Sequence, residues 1–311
     1  MNNVAALTAG ASVGALEDWV KATDLSAYAV KCAAVAAFGV NFVAVQVPGR
    51  LDGEYAKAIK EGKQSSDALP AIGRSYIAPA GWAFAIWAPI YLGELILSVV
   101  VPSLTFDGGA GETVKEILPF WISANLFQSL WCATFRPRFH ADRAKRTLGP
   151  FVSALFLGLT ARSLGLASLV ISTKSSALTL LKKALFVPVK MHFGWTTAAT
   201  LVNVNGALAN YKEAGSDRNL YALGCTSIAA ALAASAGVAV KTRDPTYSLV
   251  IGWALSAISG EMKTRIANAG KGTVTTNEDS IRFFSKLGSA ASLLLAVLTF
   301  APVFPDSTVK S

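Results

Sequence analysis

Ionisable residues lie inside long apolar runs of this chain, among them Lys31, Glu94, Arg162 and His192. A charge at membrane depth is costly unless it is paired, so Glu94 with Lys31 or Arg162 is the expected buried ion pair, structural in role. A proton or ion relay is the functional alternative, but a relay ordinarily uses more than one carboxylate. The ring nitrogens of His192 could ligate the iron or magnesium of a tetrapyrrole, or make a structural hydrogen bond. Three stripes surround these groups. Phe84, Trp87, Tyr91 and Glu94 fall within about 80° of one another at ~100° per residue. Trp121, Asn125, Gln128, Cys132 and Phe135 recur at spacings that mark one helix face, as do His192, Trp195, Thr196, Ala199, Asn203, Gly206 and Asn210. Amides in hydrocarbon need partners, so these faces look inward. Either they enclose a largely apolar small-molecule pocket with a few directing groups, or the Asn and Gln residues simply hold helices together.

The elements that carry these stripes are membrane helices. Of 311 residues, 53% are hydrophobic and only 15% charged, with a mean hydropathy of +0.46. Soluble chains carry about 25% charged residues. The apolar runs are spaced along the whole length, so the fold class is an all-α integral membrane protein crossing the bilayer several times. Eight spans of near-bilayer length are expected at 25–47, 77–98, 119–136, 149–170, 185–210, 220–240, 245–262 and 286–304. Pro79 suits a first helical turn and Pro89 is expected to kink the second span. Gly81, Ala85 and Ala88 form a small-residue stripe suited to close helix approach. Gly149-Pro150 and Asp244-Pro245 read as helix starts, with Asp244 as N-cap.

The net charge of +9 must then sit in the loops. Seventeen Lys and Arg fall in the odd-numbered loops against eight on the opposite side, which places the odd loops on the cytoplasmic or equivalent face. That charge faces anionic lipid headgroups rather than nucleic acid, because no basic-aromatic stretch lies outside the spans. Residues 1–24 read as a short surface segment. The polar loop 48–76 reads either as a lid or as a connector. Cys32, Cys132 and Cys225 all sit in apolar runs without ligand spacing and are expected to be buried free thiols. No metal site is expected, nor any catalytic residue. Nucleophile–base pairs, paired carboxylates and phosphate-cradling glycine loops do not occur, so binding is favoured over hydrolytic or phosphoryl chemistry.

PAGWAFAIWAPIY (Pro79 to Tyr91) resembles the tryptophan-rich second-helix segment of the translocator protein / tryptophan-rich sensory protein family. NLFQSLWCATF (Asn125 to Phe135) and VPVKMHFGWTTAATLVNVNGAL (Val187 to Leu208) are similar to its third- and fifth-helix patterns. RDPTYSLVIGWAL (Arg243 to Leu255) resembles a segment of longer, extended members. The resemblance implies a five-helix core, residues 25–212, followed by a three-helix extension, 213–311. It implies a core that binds tetrapyrroles, sterols or similar flat apolar ligands. By matched position it makes Trp87, Tyr91, Asn125, Trp131, Trp195 and Asn203 pocket candidates, to which the stripes add Phe84, Gln128 and His192. No cofactor is required, although haem, a porphyrin or chlorophyll are candidate occupants. The expected function is a membrane receptor or carrier. The competing expectation is a structural or pigment-holding subunit of a larger complex, photosynthetic for instance, with Gly224, Ala231, Gly237 and Ala254 as docking surfaces. Partners would then be the bilayer, an apolar ligand, and a second copy or a larger assembly.

Overall fold

The computed structural model describes residues 27–46, 75–106, 108–135, 143–210, 216–270 and 273–300, which are helical and contain no strand. The expected surface segment 1–24 and most of the loop 48–76 lie outside the described residues. Among the described residues, eight long helices follow one another: α1 (Ala27–Ala44), α2 (Trp87–Val100), α3 (Gly109–Thr134), α4 (Arg143–Lys174), α5 (Val187–Asn210), α6 (Asp217–Thr242), α7 (Thr246–Asn268) and α8 (Thr276–Leu298). A 3-10 turn, Gly81–Ile86, feeds directly into α2.

Helix α1 packs on α2 and α3, α3 on α4, α4 on α5, and α5 back on α2, closing a ring of five. Helices α6 and α7 dock on the outer face of α5, and α8 covers them both. Side-chain links mark the two ends of the bundle. At one end Lys174, closing α4, bridges Glu112 and Glu116 at the start of α3, at 2.8 and 2.9 Å. At that same end Lys190 on α5 pairs with Asp244 in the α6–α7 corner. At the other end Tyr76 and Asn277 both bond Asp217, and the Arg265 guanidinium donates to Ser75 O at 2.9 Å. Neighbours in sequence therefore run antiparallel.

The α6–α7 corner shows how local chemistry sets this path. Arg243 closes α6 in the left-handed region at φ 50°. The Asp244 carboxylate then accepts the Thr246 N–H at 2.9 Å across Pro245, and Pro245, rather than the expected Asp244, is the N-cap of α7, with no side-chain capping hydrogen bond.

Among the described residues, five helical segments are long and apolar enough to cross a membrane by themselves: Ala27–Ala44, Gly81–Ser103, Leu148–Lys174, Asp217–Thr242 and Thr276–Leu298. Helices α3, α5 and α7 fall short of that test. Helices α3, α4, α7 and α8 also outrun their apolar cores, because hydropathy registers only the part that prefers hydrocarbon. Pro150 consequently lies inside α4 instead of at its start. Pro89 stands in the first turn of α2, which begins at Trp87 directly after the 3-10 turn Gly81–Ile86. Gly81, Ala85 and Ala88 face outward; the close approach is made by Gly93. Of the cysteines only Cys132 is buried, Cys225 being half-buried and Cys32 exposed, since an apolar run does not say which face meets lipid.

Candidate functional site

A cavity of about 260 Å³ lies where the 3-10 turn before α2 meets α3, α4 and α5, and it extends across α5 toward α6 and α7. Its aromatic wall comes from four elements. Phe84 and Trp87 enter from the 3-10 turn and the start of α2, Trp131 and Phe135 from the end of α3, and Trp195 from α5. At three residues per turn, the 3-10 stretch stacks Phe84 and Trp87 on one side. Both rings meet Trp195 edge-on, with centroids 5.7 and 6.1 Å away and planes at 86° and 87°. This edge-to-face geometry sets positive ring edges against negative faces. Leu157, Ile251 and Ala254 complete an apolar lining.

The polar groups are few and directed. Asn203 Oδ1 accepts from Trp131 Nε1 and from Ser153 Oγ, each at 3.3 Å, so one amide on α5 ties α3 and α4 at the cavity wall. Ser227, also lining the cavity, accepts from Asn205 Nδ2 at 2.7 Å. The Trp195 indole nitrogen is buried and has no partner among the described residues.

Beside the cavity, deeper in the ring, lies a buried contact between Glu94 and His192. Glu94 Oε1 and His192 Nδ1 are 2.8 Å apart, with side chains 0% and 1% exposed. The expected partners are thus corrected. The Lys31 ammonium donates to the carbonyls of Leu104 and Pro102 and sits 4.7 Å from the Phe106 ring centroid. Arg162 is exposed on the outer side of α4. Lys31 is one turn into α1 and snorkels to the carbonyls at the end of α2, which removes it from Glu94. His192 meets Glu94 because α2 and α5 cross at Gly93. Trp87 lies edge-on to the imidazole at 5.5 Å, and Tyr91 is 6.2 Å from it.

The structure divides the candidate residues accordingly. Phe84, Trp87, Trp131, Trp195 and Asn203 line the cavity. Tyr91, His192, Asn125 and Gln128 do not. Tyr91 packs into the ring core with Phe38 and Trp121. Asn125 Oδ1 and Gln128 Oε1 accept from Asn41 Nδ2 at 2.9 and 3.2 Å, so those amides join α3 to α1. Asn41 escaped the sequence reading, although an Asn in an apolar helix is itself a signal that a polar partner waits across the interface. Phe135 and the α7 residues of the wall were also missed as lining. The small residues considered as docking surfaces are used mostly within the chain. Gly224 faces Tyr76 and Ile281, Ala231 and Ala254 line the cavity, and Gly237 alone of the four has open space around it.

A five-helix ring with three further helices docked on it, built around an aromatic cavity, defines an all-α integral membrane protein with room for a small apolar guest. The chain belongs to the TSPO-like protein family, whose model matches residues 32–277. That match runs from α1 through all of α6 and α7 to the first residues of α8, so the docked helices are largely part of what is matched. No curated relative and no solved structure matches the chain.

Proposed function

We propose that this protein is a membrane receptor or carrier for a flat apolar ligand, tetrapyrrole-like or sterol-like, held between Trp87, Trp131 and Trp195. The observation that supports it is the convergence of three indoles from three helices on one cavity, with Asn203 as the directing polar group. A flat ring system would bury its faces against these indoles while one polar edge meets the amide. The volume lies near the lower edge of ordinary ligand pockets, about 300–1,000 Å³, which favours a thin ligand over a bulky one. We further place all eight helices across the bilayer with the odd-numbered loops on the cytoplasmic or equivalent side, in keeping with the alternating bundle ends and the loop charges. The cavity then lies nearer that side.

The test begins with absorption and mass spectra of material purified from its native membrane, followed by tryptophan-quenching titrations with protoporphyrin. Trp87→Ala and Trp195→Ala should each weaken binding tenfold or more, equivalent to ~1.4 kcal/mol. Absence of binding by the unmodified protein, together with co-purifying protein partners and stoichiometric pigment, would overturn the receptor reading in favour of a pigment-holding subunit.

A further inference from the structure

Helices α7 and α8 are in close contact near their middles, where the Ser289 hydroxyl donates to Gly252 O at 2.9 Å. Toward the end of the bundle that carries the α7–α8 loop they open into a cleft of about 380 Å³. Three cations line it: Lys263 from α7, and Arg282 and Lys286 from α8. Among the described residues, none of the three has a hydrogen-bond or ion-pair partner and no carboxylate lines the cleft. The nearby Glu261 is already held by Arg265 at 3.1 Å. Ser256 and Ser259 add hydroxyl donors, and the inner end of the cleft turns apolar at Leu293.

The depth of these residues matters as much as their charge. Lys263 directly follows the apolar part of α7, and Lys286 stands at the start of the apolar part of α8. With all eight helices across the bilayer as proposed above, both lie at the level where hydrocarbon gives way to headgroups, and Arg282 lies one turn further out. Three like charges converging on one cleft repel one another unless an anion sits between them. Basic clefts between membrane helices are suited to lipid phosphates, with each cation near the surface adding to the attraction.

We propose that the α7–α8 cleft binds the headgroup of an anionic phospholipid. The phosphate is held by Lys263, Arg282 and Lys286, and one acyl chain runs inward past Leu293. This site is separate from the aromatic cavity and does not depend on what that cavity holds.

The test uses the full-length protein in nanodiscs of phosphatidylcholine with and without phosphatidylglycerol, then extracted and read by native mass spectrometry. The unmodified protein should retain phosphatidylglycerol after phosphatidylcholine has been washed away. The triple variant K263Q/R282Q/K286Q should lose at least tenfold of that occupancy, while K182Q/K183Q, which removes two cations near the opposite end of the bundle, should keep it. Equal retention by the triple variant overturns the proposal, as does equal loss in the control, which would mean unspecific charge attraction. Complete displacement by inorganic phosphate would mark a free-anion site and also overturns it. Should the triple variant fail to fold, equal retention of the two lipids by the unmodified protein decides against the site.

Discussion

Gly93 on α2 lies against the ring of Pro188 on α5, so closely that a Cβ at position 93 would stand 2.0 Å from Pro188 Cγ. Neither partner can yield, because the proline ring is rigid and both lie in helices. This contact sets the α2–α5 crossing and, one residue on, brings Glu94 to His192. Gly93→Ala should therefore destabilise the protein by roughly 1–3 kcal/mol, as overpacking does elsewhere. Gly237→Ala, with nothing within 4 Å of the added carbon, should leave stability unchanged or slightly raised. Thermal unfolding in detergent separates the two; equal melting would show that the crossing adapts.

Glu94 and His192 should behave as one unit. Truncating either to Ala leaves the other buried without its partner, a change that costs ~3–5 kcal/mol for buried pairs in soluble proteins and less in membranes. The double variant should lose much less than the sum of the single ones. Lys31→Ala and Arg162→Ala, which touch neither residue, should show no coupling to Glu94→Ala. A thermal-unfolding double-mutant cycle reads both outcomes, and additive losses at 94 and 192 would dissolve the pair.

Asn41, Asn125 and Gln128 should matter for stability and little for ligand. Asn41→Ala leaves two buried amide oxygens without their donor, a loss of about 1–3 kcal/mol. Asn125→Ala should likewise lower the melting temperature while leaving porphyrin affinity within about twofold, less than ~0.5 kcal/mol. Affinity falling with Asn125→Ala as steeply as with Trp195→Ala would put that amide in the binding site after all.

Asp244 joins the docked helices to the ring through Lys190, and this link should fail in acid. Burial pushes the carboxyl pKa up, but the Lys190 charge and the hydrogen bonds from Lys190 and the Thr246 N–H and hydroxyl outweigh it, leaving the group below its ordinary 3.8. A depressed pKa contributes stability that is complete above the unfolded value and is lost as pH falls through the folded one. Stability should thus decline below about pH 4 in the native protein, and Asp244→Asn should flatten that part of the curve. Unchanged acid sensitivity in Asp244→Asn would assign the decline to other carboxylates.

Much of this architecture is written in local pattern. Apolar runs too long for soluble helices, amides spaced along single faces, and the ordered tryptophan motifs determined an all-α membrane protein with inward-looking stripes on α2, α3 and α5. Phe84 and Trp87 were legible as one stripe and Trp195 as part of another, because periodicity alone aligns residues within each helix. What periodicity cannot state is which inward face meets which. Glu94 was expected to pair with Lys31 or Arg162, and only the Gly93–Pro188 crossing gives it His192 instead. Asn125 and Trp131 lie six residues apart on α3, yet one is consumed by Asn41 and the other reaches Asn203 in the cavity. Trp82 points away from Trp87 as spacing requires, but it is not idle: its ring meets Trp253 of α7 at 4.7 Å, and that indole donates to Ala83 O at 3.0 Å. Sequence determines the chemistry each helix offers along its faces. The pairing of those faces depends on steric fit between residues far apart in the chain, and the tertiary structure alone decides it.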